Sequence, residues 1–343
     1  MPFNNPIISE DIKKQWSNTN FNRHVEDFWK TIQSPGVQRD GIPPLDHPLF
    51  KTVSEAIHDL PSHDAMIVIE GEREVKVYRV DDVMLHEIVN DSIDNTPIAV
   101  TFCPLCNSAI VYKRKMDQQI LRLGVSGMLR HNDLVMWDDV TESWWQQLTG
   151  EGIAGEWTGR QLEMIPSYIL SGDQVAVRYP AAKILTKTKR DPLPPAHQTG
   201  DFKERGAKMV DTTKVMATFL NQRPVAIDFE QIRREKIVHI EVDDIPYVIF
   251  ANSDVNDMGI EVRKDSGQAF LYLASIEDFM LTFAFKDGKH LIDKETESEW
   301  NVFGEAITGP LAGEKLKRVP LYPHFKKPWF QFYPQSVYLN KNG

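Results

Sequence analysis

Cysteine is almost missing from this sequence: 343 residues contain two, too few for a disulfide framework. Long apolar runs are missing too. No stretch approaches the ~18–20 residues that a membrane helix needs, which excludes a helical span. Positive charge is outnumbered, with 39 Lys and Arg against 49 Asp and Glu and a formal net charge of −10. A surface built to hold a nucleic-acid backbone is therefore not expected. Nor is there a Gly-rich phosphate loop, because "GVSGMLR" (124–130) lacks both the G-x-G-x-x-G spacing and a following helix pattern. The start, "MPFNNPIISEDIKKQWSNTN", has no basic-then-apolar leader and no small-residue cleavage site. As written, it predicts a cytoplasmic protein.

What is present is the composition of a globular chain, 41% hydrophobic and 26% charged. Its length makes two domains the expectation. Residues 1–45 read as a polar N-terminal arm wrapped on the body, with an amphipathic helix candidate at "NRHVEDFWKTI" (22–32). From residue 64 the pattern turns to β: "AMIVIEG", "EVKVYRV", "PIAVTF", "SAIVYKR", "QILRLGVSG", "DLVMWDD" and "SWWQQLTG" are short strands at hairpin spacing. "VDDVMLHEIVND" (80–91) has helical spacing and an early Asp pair, and "SGDQVAVRYP" (171–180) predicts a closing helix. The fold class expected is α+β, mainly β.

A search for internal similarity is the most informative step. "TESWWQQLTGEGIAGEWTGRQLEMIP" (141–166) matches "TESEWNVFGEAITGPLAGEKLKRVP" (296–320) with one deletion. Two pseudo-repeated units follow: a first repeat over 46–185, a Pro- and charge-rich linker over 186–214, and a degenerate second repeat over 215–343. Gly150, Gly155 and Gly159 recur as Gly304, Gly309 and Gly313, predicted at turns or bulges with positive φ. Trp145 recurs as Trp300, a predicted core anchor. Upstream, Cys103 faces Asn252, Cys106 faces Val255, His86 faces Glu235 and Met136 faces Leu291. What both units share reads as structural, and what only the first carries is a candidate for function.

Both cysteines lie in "VTFCPLCNSAIVYKR" (100–114). Proline at the second position of Cys-Pro-Leu-Cys suits a type I or II turn, which brings residues i and i+3 together. Two thiolates on one turn, with His86 as the nearest imidazole, make a three-ligand set for Zn²⁺ or Cu(I). Met136 and Met128 are possible thioether ligands and would favour copper. Glu87 is a candidate to orient the imidazole. Arg130, His131, Asn132 and Trp144 would then line a site where a metal-dependent oxidoreductase meets a small-molecule substrate. Two alternatives stand beside this reading. Thiol–disulfide exchange is one, although the strand-like "NSAIVYKR" lacks the helix N-terminus that activates redox thiols. Inert, packed cysteines in a non-catalytic binding module are the other.

The motifs "HEIVND", "PIAVTFCPLCNSAIVY", "GVSGMLRHNDLVMWD" and "TESWWQQLTGEGIAGEWTGRQLEMIPS", in this order over residues 40–190, resemble the DUF3179 family of bacterial and archaeal proteins of unknown function. The resemblance implies that His86, Cys103, Cys106 and the 124–138 segment form the family's signature. It implies no reaction. Members often carry an export or lipoprotein signal, so the resemblance leaves an exported origin open.

Overall fold

The computed structural model describes residues 14–186, 211–252, 268–277 and 279–340. Strands dominate, joined by a few short helices. The chain divides into two compact units, with the boundary between Thr212 and Thr213. Most of the expected linker, residues 187–210, lies outside the described residues, as does Val255.

Among the described residues the first unit has a two-stranded sheet, Lys115–Met116 with Gln119–Ile120, and three larger ones. One pairs Ala65–Glu70 with Val75–Arg79, flanked by Tyr168–Ser171 and by Lys183–Leu185 with Phe50–Thr52. The second runs Ile88–Ile93, Thr96–Cys103, Ser108–Lys113 and Met164–Ile165. In the third, Ile32–Gln33, Leu123–Arg130, Asp133–Asp138, Trp144–Gln146 and Gly152–Ala154 lie side by side. Antiparallel neighbours are joined by tight turns whose chemistry is local. Asp94-Asn95 and His131-Asn132 each close a hairpin with two successive residues at positive φ, the twist that a two-residue hairpin needs. The connection between the expected strands "QILRLGVSG" and "DLVMWDD" is therefore only His131-Asn132. Ser126, Arg130 and Asp133 stand on strands and are buried.

Two helix expectations shorten. Over 80–91 the helix covers only Val80–Met84; Glu87 then turns at φ 58 and the strand Ile88–Ile93 begins. β-branched Ile88 and Val89 pair with Thr101 and Val100 instead of continuing the helix. Over 22–32 only Phe28–Thr31 is helical. The arm is held by its apolar residues: Trp16, Phe28 and Ile32 pack with Met128, Val135, Trp137, Trp144, Ile153 and Ala154 on one face of the third sheet. Each such side chain contributes about 1.5–3 kcal/mol on full burial, enough to fix a segment that has little regular structure. The closing helix, Gly172–Arg178, carries a full capping box from Ser171 and Gln174.

The second unit has strand orders that parallel these. Lys214–Leu220 and Arg223–Asp228 pair between Tyr322–Phe325 and Val337–Leu339; Ile237–Val242, Ile245–Asn252, Gln268–Leu273 and Arg318–Val319 form a second sheet; Phe283–Lys286, His290–Asp293, Glu299–Trp300 and Ala306–Thr308 form a third. Its core is Val225, Ile227, Ile232, Ile249, Leu271 and their neighbours.

The shared "TES" motif has the same bonding in each unit. Asp138 accepts from the Thr141 amide (2.7 Å) and from Trp145 Nε1 (2.9 Å). Asp293 accepts from the Thr296 amide (2.6 Å) and from Trp300 Nε1 (2.9 Å). Gly155 and Gly309 both sit at positive φ, 98° and 89°, where a Cβ would meet Ser143 Cα at 2.8 Å or Ser298 Cα at 2.7 Å. Both positions require glycine.

Candidate metal centre

The strand Thr96–Cys103 and the strand Ser108–Lys113 meet in the cysteine hairpin, where Cys103 pairs with Ser108. The Cys106 amide donates to the Cys103 carbonyl at 3.2 Å, the i→i+3 bond of the turn expected from Cys-Pro-Leu-Cys. Asn107 then takes φ 53, a conformation asparagine tolerates, and returns the chain to the sheet. A strand, not a helix, follows Cys106.

The first residue of another strand, Asp133, completes the site. The two sulfurs and a carboxylate oxygen of Asp133 all lie within 4.8 Å of one another. All three residues are buried, Cys106 and Asp133 completely. Cys106 Sγ also approaches the Asn132 carbonyl at 3.5 Å, so the hairpin turn His131-Asn132 packs directly on the cysteine loop. Asp133 Oδ2 accepts from Gln146 Nε2 at 2.6 Å and from the Leu148 amide at 2.8 Å. Its Oδ1 is buried with no hydrogen-bond partner, and so are both amide atoms of Asn107, beside Cys106. A buried polar atom without a partner costs roughly 1–3 kcal/mol. An orphaned carboxylate oxygen next to two thiols therefore points to a ligand.

The electrostatics agree. Burial pushes the Asp133 carboxyl up to about 6, against the opposing pull of Gln146, the Leu148 amide and the neighbouring thiols. Burial raises Glu87 to about 8, with the Asp133 charge adding to it. Burial also raises both thiols, Cys106 strongly; the Asp133 charge adds to each and Glu87 adds to Cys103. Two thiols and the Asp133 carboxyl thus resist ionisation in one buried place, with the half-buried Glu87 raised as well, and a nearby cation would favour their ionised forms. Raised thiols are the opposite of what an attacking redox cysteine needs.

The third member of the cluster is Asp133, where His86 was expected. His86 is buried, and its Nδ1 lies 2.9 Å from the Pro43 carbonyl. The imidazole meets the segment before the first sheet, while the Asp133 charge adds to the raised Glu87 and Glu87 adds to Cys103. Met128 packs in the apolar cluster beneath the arm. Met136 is paired with Trp145 and, three residues along the strand from Asp133, leaves the sheet on the opposite face. Arg130 is bound to Asp27 (2.7 Å), Thr31 (3.1 Å) and Gln146 (3.3 Å), and His131 Nε2 lies 3.6 Å from Asp27. Trp144 is fully buried against Trp16 and Phe28, with ring centroids 5.1 and 5.8 Å apart. It is a core residue of the arm interface. Asp133 was not singled out from the sequence as a member of this cluster. The available signal was that it ends the Arg130-His131-Asn132-Asp133 run.

Among the described residues no helix is long and apolar enough to cross a membrane. No curated protein and no solved structure matches the chain. A family model does match, over residues 39–336, so the second unit falls within it as well as the first. The chain belongs to the DUF3179 family, described as a protein of unknown function.

Proposed function

We propose that this is a metal-binding protein whose first unit holds a single cation on Cys103, Cys106 and Asp133. The observation that carries this reading is the convergence of two buried sulfurs and a buried carboxylate within 4.8 Å. Zinc fits this donor set better than Cu(I). A carboxylate oxygen is a common zinc ligand and a poor one for a soft monovalent ion, and neither methionine is placed to add a thioether. Glu87, whose raised value the Asp133 charge adds to, is the candidate for a further interaction there.

Arg130, His131, Asn132 and Trp144 act, in this reading, as support for the centre and its cover, not as groups that touch a substrate. We also read the chain as a duplicated unit that kept the site once. Glu87 and Lys236 share φ near 60° and the same backbone role, their carbonyls accepting from Phe102 and Ala251. The second unit thus has a cation where the first has an acid, and Asn252 in place of Cys103. That contrast supports a first-unit site.

Metal content per chain of untagged protein tests the proposal, beside Cys103→Ser/Cys106→Ser and Asp133→Ala variants. About one equivalent in the parent and little in the variants is expected; equal content in all three overturns it. The nearness of the two sulfurs favours a second reading, a thiol–disulfide pair. It requires that mild oxidant join Cys103 to Cys106 in the metal-free protein and that reductant reverse this, with no loss of the fold.

A further inference from the structure

The metal-facing carboxylate is the end of a polar chain that starts on the N-terminal arm. Asp27 stands at the surface, its side chain 44% exposed. Its Oδ1 accepts from Arg130 Nη2 at 2.7 Å, and Arg130 Nε donates to Thr31 Oγ1 at 3.1 Å. Arg130 Nη1 donates to Gln146 Oε1 at 3.3 Å, and Gln146 Nε2 donates to Asp133 Oδ2 at 2.6 Å. The chain has a direction. Arginine can only donate, so Gln146 must turn its oxygen towards Arg130 and its amide N–H towards Asp133. A flipped glutamine would set its N–H against the guanidinium and its oxygen against the carboxylate.

Resting on the metal-binding reading, we propose that Gln146, Arg130 and Asp27 are positioning residues for the metal ligand Asp133, and that the arm thereby locks the centre. Groups that orient a metal ligand from behind commonly change affinity by about tenfold to a hundredfold when removed. Here the orienting group is itself oriented from the N-terminal arm, through the Asp27 and Thr31 contacts to Arg130. Apolar contacts of Trp16 and Phe28 hold that segment in place; Ile32 pairs with Arg130 in the sheet, and Asp27 lies 2.7 Å from Arg130 and 3.6 Å from His131 Nε2. Displacing the arm frees the glutamine to rotate and loosens one of the three metal ligands, without touching either cysteine.

The test uses full-length protein loaded with zinc, and separately with Co(II) for its visible spectrum. Gln146→Met keeps the side-chain volume; Asp27→Ala and Asp27→Glu probe the arm end, where substitution leaves the core intact. Expected are faster zinc loss to a chromogenic chelator in Gln146→Met by about tenfold, a smaller acceleration in Asp27→Ala, and recovery in Asp27→Glu. The Co(II) ligand-field bands should shift in Gln146→Met and Asp27→Ala, beyond whatever fall in melting temperature the lost buried hydrogen bonds bring to the metal-free variants. A merely structural role would move the melting temperature and leave the spectrum alone. Unchanged zinc-loss rates and Co(II) spectra in both Gln146→Met and Asp27→Ala would overturn the relay and leave the metal site standing. A parent protein that binds neither zinc nor Co(II) would overturn both.

Discussion

Removing the metal should invert the pH dependence of stability. In metal-free protein Glu87 is raised from 4.5 to about 8 and Asp133 from 3.8 to about 6, each by burial. An acid whose folded value is raised holds a proton that the unfolded chain releases. Its stability is fully present below the unfolded value and is lost as pH climbs towards the folded one. Between about pH 6.5 and 8 Asp133 has mostly ionised, and Glu87 supplies a slope of up to ~1.4 kcal/mol per pH unit, so about 2 kcal/mol in all. For a unit of this size that is a fall of roughly 4–8 °C in melting temperature. Zinc reverses the sign, because binding to both thiols displaces protons and strengthens as pH rises. Scanning calorimetry at those two pH values, with chelator and with excess zinc, reads both effects. Cys103→Ser/Cys106→Ser should keep the downward slope and lose the zinc response. A stabilisation by zinc that is equal at both pH values, or also present in the cysteine variant, would refute the reasoning.

Other outcomes follow from single contacts. Trp145→Phe removes the 2.9 Å bond to the buried Asp138 carboxylate and should cost about 1–3 kcal/mol; Trp300→Phe should cost a similar amount in the second unit, and chemical denaturation checks each. His324 is fully buried, its Nδ1 has no partner, and burial lowers it to about 3. A histidine depressed in the folded state loses stability as pH falls below its ordinary value of about 6.5. His324→Leu should therefore flatten the acid limb of the second unit's stability, and an unchanged limb would contradict its assignment as a neutral buried ring.

Much of the fold was legible because its causes are local. Asp138, Thr141, Ser143 and Trp145 form their bonds within eight residues, so the motif and its copy around Asp293 could be read as one device. The cysteine turn was legible for the same reason, since proline and a three-residue spacing specify it. The third member of the cluster was not. Asp133 reaches the sulfurs only because the His131-Asn132 turn packs on the cysteine loop, a contact across 26 residues that no spacing rule encodes. His86 and Glu87 show the limit sharply. They are adjacent in sequence, yet the His86 ring lies 2.9 Å from the Pro43 carbonyl while the Asp133 charge acts on Glu87, a division that adjacency does not reveal. Trp144 misled for a related reason: its difference from Glu299 reflects the arm that covers it, and the arm's position depends on Trp16 and Phe28.

X-ray absorption at the metal edge, on protein purified without a tag, tests the central claim most directly. The account predicts zinc with a shell of two sulfurs at about 2.3 Å and oxygen at about 2.0–2.2 Å. A nitrogen- and oxygen-only shell, or no bound metal, would contradict it.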